Sequence, residues 1–132
     1  MNRLFRTAAL ALTLTLFPAV AAAPQVTAVD GRGTGYVALP TESGWLALVV
    51  PLTALGGVVP DDLSISVSGL PATTTITLDD VTISGENVLL HVTVSRSDLS
   101  TGVNSLAVLS LRSGGEVLTK VSIPVTGLAS AP

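Results

Sequence analysis

Apolar and polar residues alternate with a period of two along most of the chain. Leu63, Ile65 and Val67 are interleaved with Ser64, Ser66 and Ser68, and Val88, Leu90, Val92 and Val94 follow the same rule. A period of two places successive side chains on opposite faces of an extended backbone, so each such segment predicts a strand with one apolar face. This reading predicts strands at Gln25–Val29, Gly35–Leu39, Trp45–Leu52, Leu63–Gly69, Thr73–Leu78, Val88–Ser95, Asn104–Arg112 and Val117–Val125, with a short piece at Val81–Ser84. Gly, Pro, Asp and Asn punctuate the pattern roughly every 8–12 residues, the rhythm of an all-β sandwich or barrel. Trp45–Leu52 is apolar on both faces and reads as a central strand. The last two segments form a hairpin around Ser113-Gly114-Gly115-Glu116. The expected fold is an all-β, antiparallel sandwich of about seven strands.

Composition strengthens this picture. From Ala22 onward, 17 valines and 26 serines and threonines occupy 43 of 111 positions. β-branched residues are stiff at χ1 and suit a pleated, half-buried surface. Charged residues make up only 11% of the chain and apolar residues 48%, which excludes a disordered tail.

The first two dozen residues follow a different pattern. A basic start, Met1 to Arg6, leads into an apolar run from Thr7 to Phe17, then Pro18 and the small residues Ala19 to Ala23. This order predicts a secretory signal over residues 1–21, cleaved after Ala21, and a single domain over 22–132. The apolar run falls short of the roughly 20 residues that span a bilayer, so no membrane insertion is expected after cleavage. The expected location is the periplasm or cell surface of a bacterium. Removing Arg3 and Arg6 leaves four basic side chains against nine acidic ones, a net charge of −5. That acidity argues against nucleic acid as a partner. With no cysteine in the chain, stability has to come from packing alone.

Few residues carry candidate chemistry. His91 is the only histidine, and its parity turns it away from the apolar face formed by Val88, Leu90 and Val92. It reads as a surface residue, and a hydrolase built on His91 with a nearby Ser and Asp is the least favoured function. The pairs Asp61-Asp62 and Asp79-Asp80 are weak calcium candidates, since hard cations take several loop oxygens. Their simpler role is to stop strands and blunt edges. Gly31-Arg32-Gly33-Thr34-Gly35 lacks the Lys-Ser/Thr ending of a phosphate loop and reads as a hairpin tip. After signal removal Tyr36 and Trp45 are the remaining aromatic residues, and Trp45, within the most apolar segment, is expected in the core. No cofactor is expected.

Ser64-Ile65-Ser66-Val67-Ser68-Gly69-Leu70-Pro71, then Val88–Ser95, then Asp98-Leu99-Ser100-Thr101-Gly102, resembles bacterial extracellular immunoglobulin-like domains over residues 63–125. The resemblance implies an immunoglobulin-like sandwich. Those domains often carry a tyrosine two residues after the turn glycine, as a corner that hydrogen-bonds back to the backbone; here that position is Asn104. The expected function is a non-enzymatic structural or protein-interaction module of the cell envelope, with a calcium- or small-ligand-binding module as the alternative. Leu46, Leu48, Leu89 and Leu118 are expected to form an outward-facing apolar patch for another envelope protein or a second copy.

Overall fold

Two-residue glycine turns and alternating valines build the longest elements of the protein. A computed structural model describes residues 23–130. The expected signal segment 1–21 and its cleavage after Ala21 lie outside the described residues. Nine strands occur among the described residues: β1 (Thr27–Val29), β2 (Gly35–Tyr36), β3 (Leu39–Pro40), β4 (Ser43–Pro51), β5 (Ser64–Ser68), β6 (Thr74–Ser84), β7 (Asn87–Arg96), β8 (Val103–Ser113) and β9 (Glu116–Gly127). A 3-10 turn, Leu52–Leu55, follows β4 and ends at Gly56 in the left-handed region. Among the described residues no helix is long and apolar enough to cross a membrane.

The strands form two sheets packed face to face. One runs β2-β1-β4-β7-β6 and the other β3-β9-β8-β5. Among the described residues all pairings are antiparallel except that of β3 with β9 and an isolated bridge of Gln25 with Ser122. The alternating residues Val88, Leu90, Val92 and Val94 of β7 are buried, as are Leu109 and Leu111 of β8 and Ile123 and Val125 of β9. Together with Leu46, Leu48 and Val50 of β4 they make one core between the sheets. The closing hairpin falls where the glycines lie: Gly114 and Gly115 both take positive φ, 59° and 88°, so the tight turn costs them no Cβ clash.

Three local features differ from the sequence expectation. The segment expected as one strand, Gly35–Leu39, is divided between the sheets. Gly35–Tyr36 pairs with β1, and Leu39–Pro40 pairs with β9. Thr73–Leu78 and Val81–Ser84 are one strand, not two, because Asp79-Asp80 is a β-bulge and not a stop. The register with β7 shifts between Leu78 and Asp80. The extra residue moves the inward parity from Ile76 and Leu78 to Val81, so both halves keep an apolar face toward the core. A second register shift lies in β4 between Ser43 and Leu46. There Gly44 lies close against the Thr93 side chain, and Trp45 is thrown to the outer face.

That last shift corrects the expected patch. Leu46 and Leu48 are 1% and 0% exposed, so they are core residues. Both faces of β4 are apolar, and the leucines take the face toward the second sheet, where they bury the most area. Leu89 is half-buried on the outer face of the five-stranded sheet, while Leu118 lies in β9 of the other sheet. The four leucines therefore share no surface.

Candidate functional site

Asp30 organises the loop after β1. One oxygen of its carboxylate accepts the backbone N–H of Arg32 at 2.8 Å and of Thr34 at 3.0 Å; the other accepts the Tyr36 hydroxyl at 3.0 Å. The loop closes with Asp30 N–H donating to the Thr34 carbonyl and Gly33, at φ 84°, donating back to Asp30. These donors, the Arg32 N–H foremost, hold the Asp30 carboxyl below its usual range. The same carboxylate raises the Tyr36 hydroxyl above its ordinary value, since the bond favours the protonated phenol. The glycine-rich segment is thus a hairpin with an aspartate hub.

Tyr36, oriented by Asp30, meets Trp45 edge to face, with ring centroids 5.5 Å apart and planes at 78°. This is the arrangement that the ring quadrupoles favour. Trp45 is 54% exposed, which corrects the expectation that it lies in the core. Beside it a shallow hollow of about 310 Å³ is lined by Val29, Asp30, Gly31, Trp45, Ala47, Leu89 and His91. The register places Val29, Ala47, His91 and Asp80 in one row across four strands. His91 points outward, as its parity predicts, and its Nε2 lies 3.1 Å from the Thr82 hydroxyl oxygen. The result is an indole on a flat sheet face, flanked by a leucine, an imidazole and an ordered loop.

None of the paired aspartates lines that hollow, although Asp80 ends the row through His91. Asp62 accepts the Ser113 hydroxyl at 2.6 Å, and this bond lowers its carboxyl below the usual range. Asp79 accepts the Thr93 hydroxyl, and Asp80 accepts the N–H of Val81 at 2.9 Å. Asp61, Asp79 and Asp80 line one hollow, but no group of three or more acidic or histidine side chains among the described residues is arranged to hold a metal ion.

One ionic site was not anticipated from the sequence. Arg96, at the end of β7, is 3% exposed at its side chain and makes a paired contact to Glu42: Nε to Oε2 at 2.9 Å and Nη2 to Oε1 at 2.7 Å. Its Nη1 donates to the Thr101 carbonyl at 2.8 Å. Bidentate geometry of this kind is strong because both charge-assisted bonds are aligned. The guanidinium holds the Glu42 carboxyl below its usual range. Glu42 itself is a non-glycine residue at positive φ, 59°, in the turn between β3 and β4. A signal that bears on Trp45 is Gly44, just ahead of the expected strand Trp45–Leu52 and inside β4, since a strand glycine often marks a bulge. For the Arg96–Glu42 pair no local signal exists, because the two residues are 54 positions apart in sequence. Comparison with known proteins returns no matching family model, no matching curated relative and no matching solved structure.

Proposed function

We propose that this protein is an exported, non-enzymatic immunoglobulin-like module of the bacterial cell envelope, which docks another envelope protein through the sheet face around Trp45. The observation that carries the reading is the indole itself. It is more than half exposed, yet held edge-on by Tyr36, which is in turn fixed by Asp30. A rigid aromatic side chain on an open face loses little entropy on binding, which is why tryptophan so often anchors protein contacts.

The strand order supports the immunoglobulin-like part of the proposal. In the constant-type arrangement, the first, second, fifth and fourth strands make one sheet and the third, sixth and seventh the other. Setting aside the two-residue strands, β1-β4-β7-β6 and β5-β8-β9 follow that order. Where a tyrosine corner would tie down the connection after the fifth strand, Arg96 does comparable work through the Thr101 carbonyl. Asn104 is exposed at that point.

The test uses the exported chain with a photo-crosslinking residue replacing Leu89, next to the hollow. Expression in a bacterial host with its envelope intact should give one discrete cross-linked species, lost in the Trp45→Ala variant and retained in Trp45→Phe. A cross-link to a second copy would assign the face to self-association instead. Cross-linking indifferent to Trp45 would remove the face from the function.

A further inference from the structure

Among the described residues the sandwich is open along one side. There β5, the edge of one sheet, faces β6, the edge of the other. Among the described residues β5 pairs with β8 alone, in an unbroken register from Ser64 to Ser68. It carries no charge, proline or bulge, the devices by which natural edges resist further pairing. Its inward residues Ile65 and Val67 are half-buried although they pack against the core, and Ile83 at the far end of β6 is 59% exposed.

Two hollows follow one another along this side. The larger, about 510 Å³, lies between Leu63 on one wall and Leu78 and Val81 on the other. The smaller, about 310 Å³, lies between Ile65 and Val67 on one wall and Thr74 and Ile76 on the other. The hydroxyl of Thr74, on the wall of the smaller hollow, is buried with no hydrogen-bond partner. Buried hydroxyls are normally satisfied, so this wall is incomplete in polar as well as apolar terms.

We propose that this flank is a strand acceptor: an extended segment of a partner polypeptide pairs with the free edge of β5 and sends alternate apolar side chains into the two hollows, with a basic residue at one end. Edge pairing supplies main-chain hydrogen bonds and the hollows supply selectivity for every second side chain. Charge selects the occupant. Asp61, Asp79 and Asp80 rim the larger hollow, which calls for Lys or Arg at that end of the incoming strand. A second copy fits poorly, since the described residues carry four basic against nine acidic side chains and two copies repel. The five residues of β5 span about 17 Å, so a segment of about five to seven residues suffices. The flank is distinct from the Trp45 face, and the two assignments stand or fall separately.

The probe is a fluorescent peptide, Lys-Lys-Val-Ser-Val-Thr-Val-Ser, offered to the exported chain beside a version beginning Glu-Glu. The basic peptide should bind by anisotropy and protect from hydrogen exchange those amides of residues 64–68 that point away from β8. The acidic version should bind about tenfold more weakly. Val67→Lys, which puts a charge into the smaller hollow, should weaken binding about tenfold or more. Should that variant fail to fold, Asp61→Asn with Asp80→Asn should still weaken the basic peptide roughly two- to fivefold and flatten its salt dependence. Trp45→Ala should leave peptide binding unchanged. Equal binding of both peptides, no protection at 64–68, or a dimer whose 64–68 amides are already protected without peptide would each overturn the proposal.

Discussion

The two flanks of the sandwich are built from similar residues and end up in opposite states. On one, β9 would be a free edge, but short segments from the start of the chain cover it. Leu39–Pro40 lies parallel to Val125–Thr126, and Gln25 bridges to Ser122. The main chain at Ser122 donates to Pro24 and accepts from Val26, and the Ser122 hydroxyl donates to the Ala23 carbonyl at 2.9 Å. Behind this cover Val121, Ile123 and Val125 are fully or nearly fully buried. On the other flank β5 has the same alternating valine and isoleucine pattern and no cover among the described residues, and Ile65 and Val67 remain half in water. Burial in this protein follows the presence of a closing segment, and not the hydrophobicity of the strand.

The largest test of this contrast is a matched pair of truncations. Ile123→Ala, on the closed flank, should lower unfolding free energy by about 3 kcal/mol, because it removes a fully buried side chain and leaves a cavity. Val67→Ala, on the open flank, should cost no more than about 1 kcal/mol, since water already reaches that site. Chemical denaturation of both variants measures the difference; equal losses would erase the distinction between the flanks.

An intermediate effect is expected where the open flank is anchored. Gly69, just after β5, sits at φ +89° with the Leu106 carbonyl directly where a Cβ would be placed. Gly69→Ala should therefore cost about 2 kcal/mol through strain and backbone collision. A loss under about 0.5 kcal/mol would mean that the end of β5 moves freely and that the flank is loose as well as open.

The smallest effect concerns the turn that carries the cover. Glu42 joins β3 to β4, and its carboxyl is held low first by the Arg96 guanidinium. A carboxyl depressed in the folded state contributes stability that is present above its unfolded pKa and is lost as pH falls through the folded value. Asp30, Asp62 and Asp98 are lowered too, each by hydrogen bonds from neighbouring donors. The melting temperature should hold steady at pH 5–6 and fall below about pH 4. Glu42→Gln should begin lower at neutral pH and fall less steeply in acid. Parallel curves for the two proteins would show that this ion pair does not secure the closed flank.

The strands of the second half were plainly written in the sequence. Val88–Ser95 and the hairpin around Gly114-Gly115 alternate cleanly, and a one-residue slip would expose every core valine. The half-buried alternation of Leu63–Val67 was legible for the same reason. The first half was harder. With both faces of β4 apolar, parity alone does not say whether Leu46 or Trp45 faces inward; the bulge at Gly44 and the support from Tyr36 decide it. Asp79-Asp80 looked like a stop because aspartates usually end strands, yet a bulge lets the ladder continue through them. The cover on β9 was invisible, because pairings of one or two residues leave no periodicity to read. The Trp45 site escaped for a combined reason: its aromatic partner and the aspartate that orients it come from a different hairpin.

The cover on β9 also sets the order in which the chain can be completed. The carbonyl of Ala23 and the hydroxyl of Ser122 are joined across 99 positions. A chain folded only as far as β8 still lacks the strand on which Ala23, Pro24 and Val26 must settle. Contacts between such distant segments form late and slow the overall rate. Until the β8–β9 hairpin forms, residues 23–26 and Leu39–Pro40 lack this partner, and the leucines and valines of the first sheet stay accessible to any chaperone that recognises apolar chain. β9 is therefore a kinetic latch: the sandwich can shut only once that strand is in place.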